Sequence, residues 1–234
     1  GGSVACLWTS RPSETAAGLV LPDACIDLIW DGVSLLIAGP DTGPVPVPPQ
    51  PGQWFAGLRF PPGKAPGFLG VPASELLDSR VPLADVWGEA AAASVAGRLA
   101  AADRPEAAAE VLDEVIAGRS AAAPSSDPIV DQLVAVLAGQ HDANGVVQLA
   151  SQVLAVGERR LHRHCRSAVG YGPKMLERVL RFQRARRLAL DACSLATVAA
   201  MAGYADQAHL TRESRRLAGR TPSDLFKTAR PAAA

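Results

Sequence analysis

At 234 residues, 48% of them hydrophobic, the chain is long enough for two small domains, each with a core of its own. No apolar run approaches the roughly 20 residues that span a bilayer, and no basic segment leads into an apolar one near the start. The expectation is a cytoplasmic protein. The net charge of zero conceals an asymmetry: residues 1–118 hold 6 basic and 14 acidic residues, net −8, whereas residues 119–234 hold 17 and 9, net +8. The basic half suits a polyanionic partner.

Residues 4–85 read as β-rich. Short apolar or alternating runs at 19–21, 26–30, 34–38, 54–60 and 68–71 are separated by Pro, Gly and Asp. The Pro-rich stretch 43–52 must be loop or edge strand, because proline donates nothing to a sheet ladder. Thirteen of the 19 prolines precede residue 85, which argues against long helices there. Across 21–30 the alternation predicts Asp23, Cys25 and Asp27 on one face of a strand, with Ala24, Ile26 and Leu28 on the other. Two carboxylates and a thiol on one face suit a polar pocket. All four histidines (His141, His162, His164, His209) lie in the second half, so an imidazole-based metal site is excluded here and no metal or cofactor is expected. The aromatics of this half either line an apolar pocket or fill an ordinary core. Asp23, Cys25, Asp27, Trp30, Trp54 and Phe60 are the candidate ligand contacts.

Two Ala-rich segments, 83–102 and 105–117, carry apolar residues at helical spacing, and Pro105 suits a first helical turn. Residues 119–127 have linker composition. These divisions predict an α+β protein: a β-rich, barrel-like N-terminal domain with a helical extension (1–118) for effector binding or dimerisation, a linker (119–127), and an all-α domain of seven helices (128–234). Cys6, Cys25, Cys165 and Cys193 form neither a disulfide framework nor a zinc spacing.

The helices of the second domain are expected at 128–140, opened by Asp127 as N-cap, then 146–154, 158–168, 173–192, 195–202, 206–218 and one from about Pro222. Twice, a short helix, a three-residue turn containing glycine and a second helix follow one another, with the long helix between. That is a helix-turn-helix in duplicate. Leu149, Ala150 and Leu154 precede the first turn and Leu161 anchors the helix after it; Val198, Ala199, Met201 and Leu210 correspond in the second. Around Leu161 stand Arg159, Arg160, His162, Arg163 and Arg166. Around Leu210 stand Gln207, His209, Thr211, Arg212, Arg215 and Arg216. Arginine reads guanine through two parallel hydrogen bonds and also grips phosphate. Arg178, Arg181, Arg184, Arg186 and Arg187 on the long helix add positive charge.

Residues 147–226 resemble the AraC/XylS family DNA-binding domain, most specifically in GYADQAHLTR (203–212) and GRTPSDLF (219–226). The resemblance implies two recognition helices in successive major grooves. It carries base contacts onto Arg159, His162 and Arg163 in the first unit and onto Ala208, His209, Thr211 and Arg212 in the second. Cys165 and Ser214 stand where the family usually has a large aromatic, a departure that predicts a looser second unit or a grip made mainly through phosphates. In the first half, LPDACIDLIW, GPDT, GLRFPPGKAPGFLGVPASEL and VPLADVWG resemble an N-terminal domain found on some AraC-type regulators, and the wider family implies a cupin-like effector or dimerisation domain. The implied partners are double-stranded DNA, RNA polymerase, a small-molecule effector and a second copy in a homodimer, with no membrane. The competing readings are a thiol-reactive enzyme or repair-type protein using Cys25 or Cys6, and a sensor that has lost DNA binding. Against the enzyme, Cys25 lies between Asp23 and Asp27, which work against a thiolate.

Overall fold

A computed structural model of the chain describes residues 6–11, 17–48, 51–120, 126–139, 146–190 and 194–228. Among these residues seven strands lie in the first half: β1 (Cys6–Ser10), β2 (Gly18–Val20), β3 (Ile26–Trp30), β4 (Leu35–Ala38), β5 (Val45–Val47), β6 (Phe55–Phe60) and β7 (Arg80–Pro82). Five form an antiparallel sheet in the order β1-β6-β3-β4-β7, and β2 pairs with β5 as a separate ribbon. Pro46 sits in that ribbon opposite Leu19, the edge position that a proline tolerates.

Strand alternation gives the large sheet two different faces. Ile26, Leu28, Trp30, Leu35, Ile37, Ala56, Leu58 and Phe60 form the buried face. Against it pack α1 (Ala65–Leu69), α2 (Leu83–Trp87), α3 (Glu89–Ala100) and α4 (Pro105–Ser120), through Phe68, Leu83, Leu99 and Leu112. Each fully buried side chain of this size contributes about 1.5–3 kcal/mol. On the opposite face Trp8 crosses Gly57 so closely that a Cβ there would lie 2.2 Å from the indole ring; only glycine fits.

Three expectations are corrected here. Segment 68–71 is no strand: Phe68 and Leu69 end α1, and Gly70 closes it with φ 82° and its N–H on the Pro66 carbonyl. The helix expected over 83–102 is two, broken at Gly88, whose φ 82°, ψ 155° no helix accommodates. Helix α4 continues to Ser120, so the first residues of the expected linker are helical, and 121–125 lie outside the described residues.

The second half comprises α5 (Pro128–Gly139), α6 (Val146–Val153), α7 (Glu158–Val169), α8 (Pro173–Leu188), α9 (Leu195–Ala202), α10 (Gln207–Ala218) and α11 (Pro222–Thr228). Asp127 does open α5, its carboxylate accepting from the Ile129 N–H at 2.9 Å. Helix α8 stops at Leu188, short of the expected 192; residues 191–193, Cys193 among them, lie outside the described residues, as does the expected end of α5 at residue 140.

These helices hold two cores. The second, from Ala185, Val198, Ala199, Ala202, Tyr204, Leu210 and Phe226, belongs to α8–α11 alone. Met201, expected in it, is 51% exposed, because the buried stripe of α9 runs through 198, 199 and 202. The first core is not self-contained. Leu133, Leu161, Cys165, Tyr171 and Phe182 share it with Ala24, and Leu21 and Leu77 pack against it. Gln183 Nε2 also donates to the Pro22 carbonyl at 2.5 Å. Lys64 bridges the halves again, donating to Ser126 Oγ at 2.8 Å and Asp131 Oδ1 at 2.7 Å.

Candidate functional site

The two reading helices are presented by different local means. Ser194 caps α9 through the Thr197 N–H, and Asp206 caps α10 through the His209 N–H at 2.5 Å. Gly203, at φ 85°, turns the chain between them. In the first unit the left-handed residue is Ala155, φ 50°, and not the glycine of the expected turn, since Gly157 has φ −59°.

Helix α7 buries Leu161, Cys165, Ala168 and Val169. Arg159, Arg160, His162, Arg163 and Arg166 are all exposed. They do not form one surface. Positions 159, 163 and 166 share the stripe opposite Leu161. Arg160 instead leans on His164, Nε to Nε2 at 3.5 Å, and His164 Nδ1 meets Asp127 Oδ2 at 2.5 Å. The His162 ring lies over Gly172, where a Cβ would come within 2.6 Å of Nε2.

Helix α10 buries Leu210, Ser214, Leu217 and Ala218. Gln207, Ala208, Arg212, Arg215 and Arg216 are exposed, with His209 and Thr211 half-buried. His209 is engaged in the turn: its Nδ1 accepts from the Ala205 N–H at 3.4 Å, and its ring meets Tyr204 edge-on at 5.2 Å. Thr211 Oγ1 donates to the Gln207 carbonyl at 2.9 Å. Cys165 and Ser214 are both fully buried, and Ser214 Oγ has no hydrogen-bond partner among the described residues.

The arginines of α8 are not the free positive face that the sequence suggests. Arg178 holds Glu213, Arg181 pairs with Glu177 at 3.1 Å, Arg186 donates to Gln183 and Arg184 to the Ala138 carbonyl. Arg178 and Arg184 tie α8 to α10 and α5, the Arg181–Glu177 and Arg186–Gln183 contacts lie within α8, and Arg187 is exposed.

On the open face of the large sheet lies a cavity of about 520 Å³. Trp8, Ile29, Leu36 and Phe55 rise from the sheet, and Val20, Val45 and Val47 of the ribbon close the other side, the barrel-like enclosure expected of this half. Asp23, Cys25 and Asp27 line it together, although only Asp27 belongs to a strand. Asp23 and Cys25 reach the same side because Ala24 takes φ 67° between them and turns its methyl into the first helical core. Trp30 and Phe60 are buried on the opposite face, and Trp54 packs against that same core; none of the three lines the cavity. The aromatics that do are Trp8 and Phe55, both among those the sequence offers for an apolar pocket, whereas the two arginines Arg59 and Arg80 escaped the sequence reading.

Asp27 sits opposite Arg59 in the β3–β6 register. Arg59 Nε and Nη2 donate to its two oxygens at 2.9 and 2.8 Å, and Trp8 Nε1 donates to Oδ1 at 3.0 Å. Arg59 Nη1 pairs with Asp23 at 2.9 Å. Burial nonetheless holds the Asp23 carboxyl above its ordinary range against the pull of Arg59. Burial, reinforced by Asp23, pushes the Cys25 thiol far up. Burial alone pushes Cys165 up to about 12. Among the described residues no three His, Cys, Asp or Glu side chains are grouped to hold a metal ion, and no helix is long and apolar enough to cross a membrane.

Residues 150–228 match the family described as Helix-turn-helix domain, and residues 2–82 match a Domain of unknown function (DUF6597). No curated protein matches the sequence. Among solved structures, ToxT from Vibrio cholerae O395 aligns over 96% of this chain and 97% of its own at 9% identity and a TM-score of 0.52, which shows a shared fold. The same protein solved with (E)-4-(8-methylnaphthalen-1-yl)but-3-enoic acid aligns over 97% of this chain and 99% of its own at 8% identity, also at 0.52. The C-terminal domain of AraT, a response regulator from Geobacillus stearothermophilus, aligns over 45% of this chain and 89% of its own at 18% identity and 0.43. The chain thus carries an AraC-type helix-turn-helix domain behind a DUF6597 domain, the domain content of a DNA-binding transcription regulator.

Proposed function

We propose that the protein reads a specific DNA site with both α7 and α10, each in a major groove, and that a small molecule in the N-terminal cavity modulates that reading. One observation carries the first part: each helix sets exposed arginines opposite a buried leucine, Arg159, Arg163 and Arg166 on α7 and Arg212, Arg215 and Arg216 on α10. Exposed guanidiniums on a rigid helix are what base reading requires. His209 and Thr211 shape the head of α10 and leave direct contact to Ala208 and the arginines. The effector reading is supported by the apolar walls of the cavity, and by the bound organic acid of ToxT, whose fold the chain shares.

Selection of bound fragments from a random double-stranded DNA pool at physiological salt tests the reading. Enrichment of two short elements about ten base pairs apart supports it. If nothing is enriched and modest salt abolishes binding, only a phosphate grip is present and the reading fails. Stoichiometry on the enriched site separates a two-headed monomer from a homodimer. The enzyme reading is not favoured, because the Cys25 thiol is held protonated by burial and by Asp23.

A further inference from the structure

The N-terminal half touches both reading helices where they end. Gly170 closes α7, and a Cβ added there would lie 2.6 Å from Pro40 Cγ and 3.1 Å from the Ala73 carbonyl oxygen. Gly219 closes α10, and a Cβ there would lie 3.7 Å from Pro44 Cγ. Both prolines belong to the loop between β4 and β5. Beneath these ends the two helices share a core. Cys165, Ala168 and Val169 of α7 and Leu217 and Ala218 of α10 meet Ala24 there, with Leu21 and Leu77 packed against them.

The loop is held firmly from its other side. Gly39 donates its N–H to the Ser79 carbonyl at 3.0 Å, and the Pro40 carbonyl accepts from the Asp78 N–H at 3.1 Å. Thr42 donates through its N–H and Oγ1 to the two oxygens of Asp78 at 2.6 and 2.8 Å. Asp41 is buried and accepts two hydrogen bonds from Arg80 at 2.9 and 2.8 Å. The proline ring fixes its own φ, so Pro40 and Pro44 offer stiff faces to the helix ends. The seam through Arg178 and Glu213 and the core around Leu210 hold the body of α10. The contact at Gly219 fixes where its end lies relative to that of α7.

We propose that Pro40 and Pro44 are positioning residues for operator reading: they set the separation and angle of α7 and α10, and so the spacing between the two operator elements that the protein accepts. The inference rests on the two-helix reading proposed above and names what sets its spacing. On DNA of about 10.5 base pairs per turn, one added base pair rotates the second element by about 34° and moves it about 3.4 Å along the axis. Readers held at a fixed angle can follow that displacement only by twisting the DNA, which costs binding energy. Readers free to pivot follow it at little cost.

The full chain and its Pro40→Ala and Pro44→Ala variants are titrated at physiological salt against operators built from the two enriched elements. The elements are set at the selected spacing and at one base pair fewer or more. The unaltered chain is expected to favour the selected spacing by about tenfold or more, the cost of twisting a short site. Each variant should lose most of that preference while keeping its affinity for a single isolated element. Pro44 is only half-buried, so Pro44→Ala gives the answer even if Pro40→Ala fails to fold. A merely structural role would lower the melting temperature and weaken binding at every spacing alike. A spacing preference unchanged in folded Pro44→Ala, or absent from the unaltered chain, overturns the proposal and leaves the two-helix reading standing. Selection that yields no paired elements at all overturns the two-helix reading, and the proposal falls with it.

Discussion

Arg178 and Glu213 face each other across the seam between α8 and α10, Nε donating to Oε2 at 2.7 Å and Nη2 to Oε1 at 3.2 Å. Both side chains are mostly buried, at 16% and 13% exposure. The pair fixes the second reading helix to the helix that also carries the first core, so the angle between the readers depends on it. Removing one partner leaves a charge stranded. Glu213→Ala is expected to destabilise the fold by about 3 kcal/mol and to weaken DNA binding even though Glu213 touches no DNA. Urea denaturation followed by DNA titration checks both.

Arg163→Ala and Arg212→Ala should act on different halves of the operator. Each is expected to cost about 1–3 kcal/mol of binding and to relax preference within one element only. Arg160→Ala, whose side chain leans on His164, should cost less and relax nothing. Binding titrations on operators scrambled in one element at a time decide this. Equal loss on both elements would mean that these arginines contact phosphate.

Two buried or strained positions predict gains in stability. Ser214 Oγ is fully enclosed without a partner, so Ser214→Ala should raise stability by about 1 kcal/mol. Ala155 adopts φ 50°, where a side chain costs roughly 1–2 kcal/mol of steric strain that glycine escapes, more than the additional chain entropy glycine loses on folding. Ala155→Gly should therefore stabilise the first turn. Both read out as higher melting temperatures with DNA affinity retained, and a fall in either would show that the side chain packs favourably where it stands.

Thiol chemistry should follow burial. Cys6 is exposed, whereas burial pushes the Cys165 thiol up to about 12, and burial with Asp23 raises that of Cys25. The thiolate is the reactive form, so each buried thiol stays protonated and inert until the pH climbs toward its raised value. Iodoacetamide at pH 7.5 is expected to alkylate Cys6 well ahead of Cys25 and Cys165, with all three reacting in urea. Peptide mass spectrometry reads the order, and rapid modification of Cys25 in the folded chain would revive the enzyme reading.

How legible each part was depends on the range of the interaction that decides it. Helices α9 and α10 were read to within a residue because their ends are written locally: Ser194 and Asp206 cap them, and Gly203 and Gly219 end them. The exposed arginines followed from the same periodicity. The run 68–71 misled because four apolar residues fit a strand or a buried helical turn alike, and Pro66 with Gly70 was the signal for the helix. The cavity was half legible. Alternation put Asp27 on its face, but Arg59 reaches Asp27 only through the β3–β6 register, 32 residues apart. Aromatic content could not say which side of the sheet each ring takes, and Trp30 and Phe60 took the far one.

Ala24 places a methyl group from the β-rich half inside the core of the first reading unit, where Leu217 and Ala218 of the second reading helix also end, and Leu21 and Leu77 pack beside it; the second unit's other core, around Leu210, draws on nothing before Ala185. Recombination that joins this helical half to a different N-terminal partner would open a hole in the core that seats the first reader and the C-terminal end of the second, and would leave intact only the core around Leu210. The first reader and its partner must therefore be inherited as one piece, with substitutions at 21, 24 and 77 answered at 161, 165 and 171. The head of the second reader, seated on the core around Leu210, carries no such obligation, and it is the part of the protein free to diverge toward new operator sequences.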